Sequence, residues 1–360
     1  MEEHKHRALR QLLLRADRPL DNFVAAVEEV VEELEGAYMD LHGEWRAGRD
    51  SGGRDRFVAM MIFDGCFLLE MMRCTAADGK QVGDYAHNDP IFSPHGILYM
   101  VPYIRRDVLM LENQLPLLLL QKLVEVESGK PPNDDFINRM VNHGTRPAGI
   151  GLGLHPLDVF RRSMLTGPQN PEPPSPQDIE DDNAIIRSAV GLYEAGIQFK
   201  PSKTLSLHDI RFRRGTLSMP TVSVDDSTEY MFLNMMAFER LHAGAGNDVT
   251  GYVFFMDNII DSAKDVALLS SKGIIQNAIG SDQAVAKLFN TISRDVVLEP
   301  NSALDAVQRQ GLLRQPWNMW RANLIHTYFR SPWAFLFLAA AVFLLGMTVM
   351  QTVYTVLQFY

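Results

Sequence analysis

The last thirty residues, Ser331 to Tyr360, contain no Asp, Glu, Lys, Arg or His. They read SPWAFLFLAAAVFLLGMTVMQTVYTVLQFY. At a helical rise of about 1.5 Å per residue, Trp333 to Leu357 would span roughly 37 Å, enough to cross a hydrocarbon core of about 30 Å with some tilt. Trp333 stands at one edge of this stretch and Tyr354 and Tyr360 at the other, where aromatic rings sit at membrane–water interfaces. The competing assignment is a buried helix of a water-soluble core. Core helices of that length normally carry charge on some face, and this one carries none. The sequence therefore predicts a C-terminal transmembrane helix over 331–360, with Trp333, Phe335, Leu338, Phe343, Leu345, Tyr354 and Leu357 as its anchoring side chains.

The flanks predict orientation. Arg309, Arg314, Arg321 and Arg330 precede the span and no positive charge follows it, so the positive-inside rule keeps the body, residues 1–330, on the cytosolic face of a plasma membrane or endomembrane. The opening MEEHKHRALRQLLLR lacks the basic region, apolar stretch and cleavage site of a secretory signal. The two cysteines, Cys66 and Cys74, are eight residues apart in a helical stretch. That is about 12 Å along the axis, too far for a disulfide. Net charge is −10, and no block of Lys and Arg is long enough to track a phosphate backbone or a bed of anionic lipid. Nucleic acid is thus not an expected partner.

The body reads as mainly α. Leu20 to Trp45 is amphipathic, and Phe57 to Cys74 is apolar nearly all round, as in a buried helix. Asp64, Glu70 and Arg73 argue against a second span there. Residues 75–100, rich in Gly, Asp, Asn and Pro, read as loop. A helical run over Ile104 to Glu127 must kink or divide at Pro116. Residues 167–183, GPQNPEPPSPQDIEDDN, have the composition of a solvated, poorly ordered connector. Beyond a short helix over Ala184–Glu194, the period changes to two. Leu205 to Val224 reads as a small β-hairpin turning at Arg214-Gly215, with Pro220 confining its second strand to an edge or a bulge. Three amphipathic helices follow, starting near Ser227, Val249 and Ser281.

Catalytic signals are absent from the pattern. GIGLGLHP, with Gly149, Gly151 and Gly153, lacks the Gly-Lys-Ser/Thr ending of a phosphate loop and the strand–helix setting of a dinucleotide fingerprint. No HExxH, paired CxxC or calcium loop exists to hold a metal, and no cofactor is implied. His155 and Asp158 fit a hydrated surface pair as well as a site, and Cys66 fits an inert core thiol. No enzyme is expected; if there is one, its site lies in the loop from Gly149 to His155. RRDVLMLENQLPLLLLQKL (105–123) sets Glu112, Asn113 and Gln114 beside a helix-breaking proline. This predicts a structural polar cluster in which the triplet satisfies the broken backbone ladder and Asp64 or Glu70 pairs with Arg105 or Arg106. QPWNMWRANLIHTYFRSPW predicts a juxtamembrane helix at 315–330.

FVAMMIFDGCFLLEMM (57–72), the 105–123 segment, AGIQFKPSKTLSLHDIRFRRGTLSMPTVSVDDSTEYMFLNMMAFE (195–239) and VTGYVFFMDNIIDSAKDVALLSSKGIIQNAIGSDQAVAKLFN (249–290) resemble the plant family called domain of unknown function 247. The order of segments and the charge-free C-terminus match as well. The resemblance implies a mainly helical, membrane-attached plant protein without a recognised catalytic motif, and it supplies no site residues. Some grass members are regarded as pollen-side determinants of self-incompatibility, which implies recognition of a protein or peptide partner. A membrane-tethered scaffold is the other non-enzymatic reading. Members usually begin with a further segment bearing a Gly-Pro-His motif, whereas this sequence starts at MEEHKHRALRQLLL. A divergent member and a truncated gene model are the two readings of that difference.

Overall fold

The computed structural model describes residues 1–39, 41, 45, 52–76, 85–141, 151–167, 187–294 and 332–358. The first helices are α1 (Glu2–Ala16), α2 (Leu20–Glu29), α3 (Val31–Gly36), α4 (Gly53–Ala76) and α5 (Pro94–Val108). A 3-10 turn at Leu111–Asn113 leads into α6 (Leu117–Ser128), α7 (Asp134–Val141), α8 (Pro156–Leu165) and α9 (Ala189–Glu194). Then come strands β1 (Gln198–Pro201), β2 (Arg211–Arg213), β3 (Thr216–Met219) and β4 (Val222–Val224). The remainder is α10 (Thr228–Leu241), α11 (Asp248–Ile259), α12 (Ala263–Ser271), β5 (Ile275–Asn277), α13 (Asp282–Ile292) and α14 (Pro332–Gln358). The protein is mainly helical with two small sheets. Its internal contacts divide it into two units, residues 1–167 with 226–250, and residues 168–225 with 251–360.

The first unit is organised around α4, which packs on α1, α2 and α6. From Gly65 to Met72 every residue of α4 except Phe67 is buried, which is why its sequence has no polar face. The helices close in most tightly at Gly65. A Cβ there would lie 2.6 Å from Leu123 Cδ1 and 3.1 Å from Leu119 Cδ2, so only glycine lets α6 come so near. The expected run over Ile104–Glu127 divides: α5 ends at Val108 and Pro116 precedes the first residue of α6.

The loop expected over 75–100 is corrected at its end. α5 starts at Pro94, because Ser93 and Pro94 form a cap rather than a break. The Ser93 hydroxyl accepts from the Gly96 amide at 3.1 Å, and a proline in the first turn has no hydrogen bond to lose. Gly96 is required there too, since a Cβ would meet the Ile91 carbonyl oxygen at 2.5 Å.

In the second unit, β2 and β3 form an antiparallel hairpin pairing Arg213 with Thr216 and Arg211 with Ser218. Arg214 (φ 49°) and Gly215 (φ 76°) make the two-residue turn with positive φ at both positions, the geometry that matches strand twist. The hairpin is shorter than the expected 205–224, and it acquires β1 as a parallel neighbour of β3. β4 and β5 pair in parallel, Val222 with Ile275. The helix expected from near Val249 runs over Asp248–Ile259, and a separate helix starts at Ala263. Ser262 and Asp265 form a reciprocal capping box at that start. Asp265, almost fully buried, also accepts from the Val190 amide at 2.8 Å and so ties α9 to α12.

The described side chains of α14 are those of Leu336 and of residues 340–355. No helix, taken over its described residues, is long and apolar enough to cross a membrane. The expected connector, apart from Gly167, and the expected juxtamembrane helix lie outside the described residues.

Candidate functional site

The predicted polar cluster falls at the junction of α5, the 3-10 turn and α8, and Gln114 is its centre. α5 leaves its last carbonyls without helical donors. The Gln114 side-chain nitrogen supplies two bonds, to Val108 O at 2.8 Å and Met110 O at 2.5 Å. Its Oε1 accepts from the Leu157 amide at 2.9 Å, and its backbone carbonyl accepts from the Tyr38 hydroxyl at 3.1 Å. One side chain thus closes the end of α5 and opens α8. Asn113 contributes a weaker bond to Asp107 O at 3.3 Å, and Glu112 is exposed. The Leu111 amide donates to Asn234 Oδ1 at 2.8 Å, and the Arg106 guanidinium lies 5.1 Å from the centre of the Tyr230 ring.

The predicted pairing of Asp64 or Glu70 with Arg105 or Arg106 is corrected. Asp64 pairs with Lys5 at 2.6 Å. Glu70, fully buried, accepts from Arg15 through both oxygens at 2.6 and 2.9 Å, from Arg73 at 2.8 Å and from the Tyr85 hydroxyl at 2.8 Å. Arg73 also meets Glu127, which lies 3.6 Å from Arg15. Two arginines and two glutamates therefore balance in charge and join α1, α4 and α6. Burial alone would push the Glu70 carboxyl up, but the Arg15 and Tyr85 hydrogen bonds and the charges of Arg15 and Arg73 together pull it below its usual value. The same burial pushes the Cys74 thiol up to about 12 and the Cys66 thiol higher still, so both are inert at neutral pH.

The described part of the glycine-rich loop, from Gly151 on, is pinned rather than open. Asn138 donates to Gly151 O at 2.7 Å and accepts from the Gly153 amide at 3.2 Å. The Leu117 amide donates to Leu154 O at 2.9 Å. A Cβ on Gly153 would lie 2.3 Å from Val159 Cγ2. His155 caps α8, its Nδ1 accepting from the Asp158 amide at 3.2 Å, while its ring stands edge-on to Phe238 at 4.8 Å. Burial pulls the imidazole down to about 4 against the opposing pull of Asp158, so it is neutral at physiological pH. Asp158 is spent on the Leu154 amide and on Arg162, and buried Arg161 pairs with buried Glu239 at 2.7 Å. Gly149 lies outside the described residues.

Besides an open cavity of about 570 Å³ lined by His6, Arg10, Asp17 and Arg18, this unit exposes apolar surface. On α5, Leu98, Tyr99 and Tyr103 are 67%, 58% and 66% exposed, while Val101 and Ile104 are buried. Aromatic side chains with a polar tip are enriched at protein interfaces. Of the predicted anchor residues, Phe343, Leu345 and Tyr354 are exposed, and the side chains of Trp333, Phe335, Leu338 and Leu357 lie outside the description. Arg15, Tyr85 and Glu127 are among the structural residues that the sequence pattern did not single out.

The family described as "Plant protein of unknown function", domain of unknown function 247, matches residues 1–347. The chain belongs to that family. The UPF0481 protein At3g47200 of Arabidopsis thaliana is 28% identical to it, over 100% of this chain and 79% of the relative. A second Arabidopsis thaliana UPF0481 protein, At3g02645, is 30% identical over 47% of this chain and 33% of its own length. No solved structure matches.

Proposed function

We propose that this family member is a single-pass membrane protein, held by α14 with its body on the cytosolic side, and that it acts as a protein-interaction module rather than an enzyme. The exposed apolar surface of α14 carries the proposal. Leu336, Val342, Phe343, Leu344, Leu345, Met347, Val349, Met350, Val353 and Tyr354 are each 50–69% exposed, in a 27-residue helix of about 40 Å without a charged residue. Covering a large aliphatic or aromatic side chain is worth about 1.5–3 kcal/mol, so leaving ten of them half in water costs on the order of 10 kcal/mol or more. Lipid removes that cost with no protein partner. The interaction role is supported by the engagement of Glu70, His155, Asp158 and Arg161 in structural bonds and by the exposed Leu98, Tyr99 and Tyr103 of α5.

The test is extraction of vesicles carrying the full-length chain. Alkaline carbonate is expected to leave the intact protein with the lipid and to release a chain shortened before Pro332. Full-length protein in the carbonate supernatant would end the anchor reading. Protease protection on sealed vesicles then reports the side: digestion of the body from the cytosolic face is expected. For the interaction role, replacing Tyr99 and Tyr103 by Ser is expected to abolish partner capture from plant tissue extracts without altering the circular dichroism spectrum. Undiminished capture would remove the α5 face from the proposal.

A further inference from the structure

The three-stranded sheet has two chemically different faces. Its register sets Phe199, Leu217 and Phe212 in one row across β1, β3 and β2, and Phe199 and Leu217 are buried. The alternate rows are Lys200–Ser218–Arg211 and Gln198–Thr216–Arg213, and side chains alternate between faces along a strand. The second face therefore presents cations on both outer strands with hydroxyls between them. Lys200 and Arg213 are exposed, as are Lys203 just beyond β1 and Arg214 in the hairpin turn.

Residues 198–224 carry five Lys and Arg against one acid, Asp209, a local charge of +4 in a chain of −10. Asp209 is buried and already engaged, accepting from Thr204 at 2.7 Å and pairing with Arg211 at 3.0 Å. Among the described residues, none of Lys200, Lys203, Arg213 and Arg214 has an acidic partner.

We infer that this face binds an acidic polypeptide segment in extended form, with carboxylates at every second residue. This deepens the interaction reading by naming a partner chemistry, and it uses a surface that depends on neither α14 nor the α5 aromatics. The fit is one of spacing and charge. Residues two apart on a strand lie about 6.6–6.8 Å from each other, so exposed Arg213 and Arg211, whose Nε is held by Asp209 while its side chain stays 38% exposed, repeat at the interval of alternate side chains in an extended peptide. Ser218, Thr216 and Gln198 can bond the backbone or the remaining carboxylate oxygens. An anionic bilayer is the less suitable occupant, because these two rows contain no apolar side chain to enter lipid.

The experiment uses the full-length chain in neutral detergent micelles and a fluorescein-labelled twelve-residue peptide of alternating Glu and Ser, read by anisotropy. Saturable binding is expected. It should weaken about tenfold or more when Lys200, Arg213 and Arg214 are replaced together by Gln, and also on going from about 50 to 300 mM salt. A Gln-Ser peptide should not bind. A single Lys203→Gln variant, at a loop position, should weaken binding by a smaller factor and guards against misreading a misfolded triple variant. Equal affinity of the triple variant and the parent for the Glu-Ser peptide would overturn the inference. So would displacement of the peptide by phosphatidylserine, but not phosphatidylcholine, mixed into the micelles, since that assigns the face to lipid headgroups. Failure here leaves carbonate resistance and partner capture through α5 untouched, so the two readings fail separately.

Discussion

Replacing Glu70 by Gln tests whether the buried arginine–glutamate network holds the first unit together. Glutamine keeps the shape and one acceptor oxygen. Its amide nitrogen, however, always replaces an oxygen that accepts from Arg15, because Glu70 receives Arg15 on one oxygen at 2.6 Å and on the other at 2.9 Å. An oxygen in the Oε1 place keeps Arg73 and half of the Arg15 fork, whereas one in the Oε2 place keeps only the other half of that fork and loses Arg73. Either way both guanidinium groups fall back on Glu127. Removing one partner of a buried ion pair costs about 3–5 kcal/mol. The Arg15 and Arg73 side chains keep 28% and 21% of their surface in water, so the low end, about 3 kcal/mol, is the expectation.

For a unit of this size, each kcal/mol moves the melting temperature by about 2–4 °C, giving a fall of roughly 6–12 °C. Thermal unfolding of the full-length chain in detergent, followed by near-ultraviolet circular dichroism, reads it directly. The pH dependence gives a second, independent signature. The Glu70 carboxyl is held below its usual value in the folded state, so its contribution is complete above the unfolded carboxylate range and is lost as pH falls through the folded value. The gap between parent and Glu70→Gln should therefore close on acidification toward pH 3. A gap below 1 kcal/mol at pH 7, or one that stays constant into acid, would refute the reasoning.

Three further outcomes follow from named contacts. His155 is pulled from 6.5 to about 4, so protonation opposes folding and stability should fall as pH drops from 6.5 toward 4, by at most about 1.4 kcal/mol per pH unit; His155→Asn, which keeps a capping acceptor but does not titrate, should flatten that slope in a denaturant series. Gly65→Val should cost 2 kcal/mol or more by overpacking against Leu119 and Leu123, and adding Leu123→Ala should return part of the loss in a double-mutant cycle. Asp265→Ala removes the acceptor of the Ser262 and Val190 amides and should cost about 3 kcal/mol, whereas Asp265→Asn, retaining one acceptor, should cost about 1 kcal/mol by urea unfolding.

How far the sequence discloses this fold depends on how far along the chain each interaction reaches. α4 is legible because burial on all sides writes itself into consecutive residues, and the hairpin because two strands and their Arg214-Gly215 turn are contiguous. The division at Pro116 is equally local. The start of α5 is hidden for the opposite reason, since the residues that cap it are the ones that elsewhere break helices. Pairing is where local pattern stops being informative. Glu70 finds Arg15 fifty-five residues away and Arg73 three away, and nothing in its own neighbourhood favours Arg15 over Arg105 or Arg106. β1 and β4, only four and three residues long, gain partners through parallel pairings whose other strands lie far along the chain, in β4's case from Val222 to Ile275. The basic face is the sharpest instance. Scanned as a string, Lys200 and Lys203 are one weak cluster and Arg211, Arg213 and Arg214 another, neither long enough to hold a polyanion. The sheet puts β3 between β1 and β2 and so sets Lys200 and the pair Arg211 and Arg213 about 10 Å apart on one surface. A rule that counts neighbours in sequence misses charge that is concentrated across strands, and it is across strands that an extended partner would meet it.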